Sequence, residues 1–195
     1  MNKITLTLTC LLLCNLSALY GQRTLIKANL GGIIQKNYGG SLEFVLSEKL
    51  SLLAGAAYTN RTTGSSIDSI GKITEKGFMA IPELRFYLNS EEGAPKGLFV
   101  STNIIYNKIN ISVINLPLDT TTLINTSGEA SNLGIGFALG SQWIFAQRFA
   151  IELFFNPYYN IPSLSGEILN YPSYIYEEKR GFQFNRIGIS VGLAF

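Results

Sequence analysis

The stretch Ile187-Gly188-Ile189-Ser190-Val191-Gly192-Leu193-Ala194-Phe195 is the most informative part of the 195-residue sequence for its architecture. Every second residue is apolar, mostly large, and the residues between them are glycine, serine or alanine. A period of two is typical of a β-strand with one apolar face. The last residue is aromatic and lies in phase with that face.

The same alternation recurs upstream. The eight predicted strands cover residues 26–35, 41–46, 50–58, 78–88, 98–107, 133–143, 149–156 and 186–195. Most are about 8–12 residues long, which suits a strand that crosses a bilayer with about 9–11 residues. Pro82 lies inside the fourth strand, where we expect a bulge or a local gap in pairing because proline has no N–H to donate.

Short and long predicted connections alternate along the chain. The short set is 47–49, 89–96 and 146–148, and the mostly long, polar set is 36–39, 59–76, 111–129 and 160–180. Short turns at one end and long loops at the other are the layout of an outer-membrane barrel, in which the long loops face outward. An even strand number then puts both termini at the periplasmic end.

The composition agrees with a membrane barrel. Charged residues make up 14% of the chain, against about 25% in soluble domains, while hydrophobic residues make up 47% and the mean hydropathy is +0.22. After the first two dozen residues no unbroken apolar run reaches ~18 residues, so no transmembrane helix is predicted there. The net charge of +2 and the lack of a basic stripe argue against nucleic-acid binding.

The first 21 residues are predicted to be a cleaved signal peptide, and residues 22–195 the barrel domain. A basic start is followed by the apolar stretch 4–16 and a small residue, Gly21, before Gln22. A membrane anchor and a lipoprotein signal are the weaker alternatives. Cys10 and Cys14 both lie in this segment, so the mature chain is expected to contain no disulfide.

The two faces of the predicted strands differ in charge. The outward set contains no Lys, Arg, Asp or Glu, whereas the inward set holds Lys27, Arg85, Arg186, Glu43, Glu83 and Glu152. Buried charges must be paired, so we predict an ion-pair network in the lumen, joined by Asn29, Asn103, Gln142 and Asn156. The network is interpreted as a plug, or alternatively as the constriction of a gated pore. A soluble barrel of lipocalin type is the alternative to the membrane barrel.

Aromatic residues near the strand ends predict two girdles at the membrane interfaces. The short-turn girdle is Phe86, Trp143, Phe145, Phe149 and Phe195, and the long-loop girdle is Tyr58, Phe78, Tyr106 and Tyr159. Three glycines within one strand, Gly134, Gly136 and Gly140, are expected to make room for larger inward neighbours. Tyr171, Tyr174 and Tyr176 lie in the last long loop and are candidates for recognition of a sugar or protein, or else pack over the barrel mouth.

The sequence predicts no site for catalysis or for binding of a metal or cofactor. The absence of histidine removes histidine metal ligands, Ser-His-Asp triads and histidine bases. The acidic pairs 91–92 and 177–178 are adjacent and solvated, and no glycine-rich phosphate loop is present. We therefore predict no catalytic, cofactor-binding or metal-binding residues and no enzymatic activity.

With these features the chain resembles the small eight-stranded outer-membrane barrels of the OmpA/OmpX type. The likeness rests on the signal segment, the alternating strands and the terminal run 187–195. It implies a closed, antiparallel, up-and-down transmembrane barrel in which Phe195 is part of the signal read by the barrel-assembly machinery. The segment 82–88 also looks like a stretch common in uncharacterised barrels of this kind.

The predicted protein is thus a monomer in the outer membrane of a Gram-negative bacterium. Its role is structural or is surface interaction through long loops, with a protein or glycan as the extracellular ligand. The alternative is a small pore or transporter for small solutes. Membership of a secretion or assembly complex stays open.

Overall fold

Strands account for most of the chain in a computed structural model, which describes residues 24–34, 36–63, 72–88, 93–117, 123–166, 180–184 and 186–195. In these ranges there are ten strands and one short helix. They are β1 (Thr24–Asn29), α1 (Leu30–Ile34), β2 (Asn37–Val45), β3 (Leu50–Thr63), β4 (Lys72–Tyr87), β5 (Gly97–Pro117), β6 (Leu123–Phe145), β7 (Phe149–Phe155), β8 (Tyr158–Gly166), β9 (Gly181–Gln183) and β10 (Ile187–Ala194). No helix in these ranges is long and apolar enough to cross a membrane.

The strands form one closed antiparallel barrel. Each strand from β1 to β6 pairs with the next, β7 and β8 both pair with β6, and β10 pairs with β1 from Leu25–Ala194 to Asn29–Ser190. β7 and β8 are two halves of one wall, as are β9 and β10. The barrel therefore has eight walls, and the fold class predicted from the sequence is confirmed.

The pairing register shifts by one residue in the last wall. Ile187 pairs with Phe155, and Gln183 pairs with Tyr158. A register shift of this kind bends a strand and redirects its side chains, and Arg186 lies directly before the Ile187 pair.

The predicted outward face is the exposed face of the barrel. Large apolar side chains such as Leu139 (50% exposed) and Ile135 (63% exposed) cover it, and both predicted girdles are exposed. A continuous apolar surface of this size is incompatible with a monomer in water but matches the hydrocarbon of a bilayer.

The interior is narrow, and small residues make it possible. A Cβ on Gly140 would lie 2.6 Å from the carbonyl oxygen of Leu153 and 2.7 Å from a ring carbon of Phe99. A Cβ on Gly136 would lie 2.8 Å from Asn103 Oδ1. The expectation that these glycines admit larger inward neighbours is confirmed.

Proline has the predicted effect in β4. Pro82 pairs with Ala54 of β3, but the pairing of β4 with β5 is interrupted between Ala80 and Glu83. The register is unchanged on either side, so the irregularity is a local gap and not a bulge.

Two boundary predictions are wrong. The first strand ends at Asn29 and not at residue 35, because α1 follows it directly. The side chain of Asn29 accepts a hydrogen bond from the N–H of Gly32 at 3.1 Å, as an N-cap residue does. The chain therefore leaves the barrel wall in a helical turn.

The predicted long loops also begin too early. β3 continues to Thr63, β4 begins at Lys72, β5 continues to Pro117, β6 begins at Leu123 and β8 continues to Gly166. The hairpin of β5 and β6 thus projects well beyond the long-loop girdle. Its inner face carries a cluster of buried apolar side chains, Ile109, Ile111, Val113 and Ala130, packed against Ile73 and Leu164.

Candidate functional site in the barrel lumen

Four charged residues meet in the lumen near the short-turn end. Lys27 of β1, Glu43 of β2, Arg85 of β4 and Glu152 of β7 are all at most 3% exposed. Each occupies an inward position of its strand, and the register of the closed barrel brings them to one level. We call these four residues the charge cluster.

The charge cluster is densely bonded. Lys27 Nζ donates to Glu43 Oε2 at 2.7 Å, to Gln142 Oε1 at 2.8 Å and to Glu152. Arg85 donates to the two oxygens of Glu152 at 2.7 and 3.0 Å, a bidentate arrangement that is among the strongest side-chain pairings. Each cation therefore contacts Glu152.

Arg85 also pairs with a third acidic residue of the lumen, Glu83. Its Nε donates to Glu83 Oε1 at 2.7 Å, and its Nη1 lies 3.5 Å from Glu43 Oε2. Below the guanidinium, the ring of Phe99 lies 4.2 Å away in a cation–π contact. The arginine is thus enclosed by three carboxylates and one aromatic face.

Neutral residues complete the layer. Glu43 Oε1 accepts from Ser51 Oγ at 2.5 Å and from Tyr87 OH at 2.6 Å. Gln142 Nε2 donates to the carbonyl oxygen of Pro95 at 2.6 Å. Ser51, Tyr87 and Phe99 were not predicted to be members of the network, since their contacts depend on distances across the lumen.

The remaining residues predicted to belong to the network have different environments. Arg186 donates to Asn156 Oδ1 and stacks on the ring of Phe154, 5.0 Å from its centroid. The prediction that Asn29 and Asn103 join the network is wrong. Asn29 caps α1, and both polar side-chain atoms of Asn103 are buried without a hydrogen-bond partner.

A cavity of about 200 Å³ lies on the long-loop side of this layer. Glu83, Arg85, Glu152 and Arg186 line it together with apolar side chains such as Ile81 and the backbone of α1. Such a volume holds several water molecules, and the charged side chains favour hydration. The lumen above the bonded layer is therefore a pocket with charged and apolar walls.

Other predicted site residues lie elsewhere. Tyr171, Tyr174 and Tyr176 fall outside the described residues. Phe195 has an exposed side chain, and its N–H donates to the carbonyl oxygen of Thr24 at 2.9 Å. Among the described residues, no group of three His, Cys, Asp or Glu side chains is placed to hold a metal ion.

A family model, "Protein of unknown function (DUF3575)", matches residues 6–159. The chain belongs to this family. The match spans every barrel wall except the last and most of β8, and it contains five of the six charged lumen residues of this DUF3575 member. No curated protein matches the chain.

Solved structures similar to this DUF3575 chain are distant in sequence. The N-terminal β-barrel domain of Pseudomonas aeruginosa OprF has 15% identity and a TM-score of 0.42, covering 90% of this chain and 100% of that one. Acinetobacter baumannii CarO2 has 12% identity and a TM-score of 0.49, covering 89% and 97%. Acinetobacter baumannii CarO has 10% identity and a TM-score of 0.49, covering 91% and 98%.

Proposed function

We propose that the protein is a monomeric, non-catalytic barrel of the outer membrane of a Gram-negative bacterium, with a closed lumen and a structural or surface-interaction role. The observation that carries the closed lumen is the bonded layer around the charge cluster. It draws side chains from β1, β2, β3, β4, β6 and β7, and Phe99 of β5 packs beneath Arg85. A small pore would need these contacts to separate.

The energetic cost of opening supports a plug rather than a gate. An eight-stranded barrel has an interior just wide enough for side chains to fill. Separating Glu152 from Lys27 and Arg85 would leave buried charges unpaired in a narrow lumen, at several kcal/mol each.

The projecting sheet supports a role at the cell surface. β5 continues for ten residues past Asn107, and β6 pairs with it from Leu123 onward. Such a sheet offers backbone and polar side chains to an extracellular protein or glycan. Tyr171, Tyr174 and Tyr176 remain proposed recognition residues, Phe195 the proposed assembly signal and residues 1–21 the proposed signal peptide.

The closed lumen predicts that the folded wild-type protein gives no steady single-channel current in planar lipid bilayers. Tyr87→Ala removes a fully buried ring from the layer and should admit intermittent currents. Tyr58→Ala, which removes an exposed ring from the girdle, is the matched control and should stay silent. A steady ohmic current through the wild-type protein would instead establish the pore.

The surface role predicts that binding depends on the projecting hairpin. Val113 and Thr126 are directly paired, so residues 114–125 can be replaced by an Asn-Gly turn that preserves the register. We expect the shortened protein to fold, as judged by heat-modifiable migration on gels, and to lose partners that the wild type retains in affinity capture from the native membrane. Identical partner sets for both proteins would contradict a role for the hairpin.

A further inference from the structure

Four exposed aromatic residues at the long-loop end each have a basic residue two positions away in the sequence, on the side farther from the barrel centre. The pairs are Lys36 with Tyr38, Lys76 with Phe78, Lys108 with Tyr106 and Arg180 with Phe182. Within a strand, residues two apart share a face, so Lys76 and Lys108 point outward above their rings. We call Lys36, Lys76, Lys108 and Arg180 the basic belt.

The register places three members of the basic belt on nearby strands. The carbonyl oxygen of Lys36 accepts from the N–H of Asn60 at 3.1 Å, and Asn60 pairs with Lys76. Lys36 and Lys76 are therefore two strands, or about 10 Å, apart. Lys108, on the strand after Lys76, pairs with Phe78.

A shallow groove of about 710 Å³ lies on the outer face of the projecting sheet, and Lys76 is part of its lining. Beside the apolar Ile114, the lining includes side chains with hydroxyl and amide groups: Thr74, Asn110, Ser112, Ser127 and Ser165. Glu129 also lines it and accepts from Lys108 Nζ at 2.8 Å. This hydrogen bond raises the pKa of Lys108.

The outward-facing residues above the long-loop girdle carry mostly positive charge. The basic belt and Lys72 lie at this level, and Glu129 is the one acidic side chain among the described outward residues there. Directly below the belt, the apolar surface begins. Cations immediately outside an aromatic girdle lie at the depth of lipid headgroups, and the groove beside them has the hydroxyl and amide groups that bind sugars.

We infer that the basic belt and the adjoining groove bind the phosphorylated sugar headgroup of an outer-leaflet glycolipid. This inference rests on the proposed outer-membrane location. Lys76 and Lys108 contact the phosphate groups, and the serine and asparagine side chains of the groove hydrogen-bond the sugar. Glu129 orients the Lys108 ammonium and accepts a hydrogen bond from the sugar.

The test compares two double variants of the mature chain folded in neutral detergent micelles. Lys76→Gln/Lys108→Gln removes two charges of the basic belt, and Lys49→Gln/Arg148→Gln removes two exposed charges at the short-turn end. The probes are lipid A, dephosphorylated lipid A, phosphatidylcholine and inorganic phosphate. Binding is measured by native mass spectrometry, and folding by heat-modifiable gel migration.

We expect the belt variant to bind lipid A about tenfold more weakly than the wild type, and the short-turn variant to bind it unchanged. Equal binding of lipid A and its dephosphorylated form, or equal losses in the two variants, would overturn the inference. Saturation by inorganic phosphate alone would assign the site to a free anion instead. Failure of the wild type to fold in micelles would reject the membrane location itself.

Discussion

Glu152→Ala should lower the free energy of unfolding in detergent micelles by about 3–5 kcal/mol. Glu152 accepts hydrogen bonds from both Lys27 and Arg85, and its side chain is 2% exposed. Removing it leaves two buried cations in the lumen with fewer partners. The measurement is the denaturant midpoint of the micelle-folded protein.

The size of this effect separates a paired interior from a hydrated one. Glu152→Gln keeps the shape and one acceptor oxygen, so its loss should be smaller than that of the alanine variant. Arg186→Ala should also cost less, because Arg186 contacts Asn156 and Phe154 rather than the charge cluster. Glu129→Ala is the matched control, since Glu129 pairs with Lys108 at a half-exposed site, and it should leave the midpoint unchanged. Equal midpoints for the Glu152 and Glu129 variants would show that the lumen charges are solvated.

Leu139→Arg should lower the free energy of unfolding in lipid vesicles by about 2–4 kcal/mol. Leu139 is 50% exposed and lies on β6 about midway between Leu133 at the long-loop girdle and Trp143 at the short-turn girdle. An arginine there must enter hydrocarbon or distort the bilayer. The measurement is reversible unfolding by denaturant in the presence of the vesicles.

The same substitution on the same strand provides the control. Ser127 shares the outward face of β6 but lies beyond the girdle, on the projecting sheet. Ser127→Arg should therefore change stability by less than about 0.5 kcal/mol. If Leu139→Arg were equally harmless, the exposed apolar face of the barrel would not face lipid, and the proposed outer-membrane location would be contradicted.

The membrane segments of the walls were predictable because alternation is a local property of the chain. The outward residues of 98–107, 133–143 and 149–156 are exposed as predicted, since a period of two assigns each side chain to a face without reference to any other strand. Beyond the girdles this contrast fades. There the outward face is mostly polar and the apolar residues Ile109, Ile111 and Val113 face inward. The projecting parts of β5 and β6 therefore lack the outward apolar face that marked the predicted strands, although their backbones pair.

The end of the first strand could not be predicted for a different reason. Residues 26–34 alternate well enough for a strand, yet α1 begins at Leu30, because the Asn29 side chain can cap a helical turn at Gly32. Two conformations were locally acceptable, and the sequence pattern alone could not choose between them.

The sequence by itself determined that the chain forms a membrane barrel with charges inside, because face and period are written in each strand separately. Only the tertiary structure decided which charges meet. Glu152 reaches Lys27 and Arg85 while Arg186 turns to Asn156 and Phe154, since those distances depend on the register of barrel closure and on the register shift between β9 and β10. The alignment of Lys36, Lys76 and Lys108 on nearby strands depends on the pairing of those strands, which no single strand encodes.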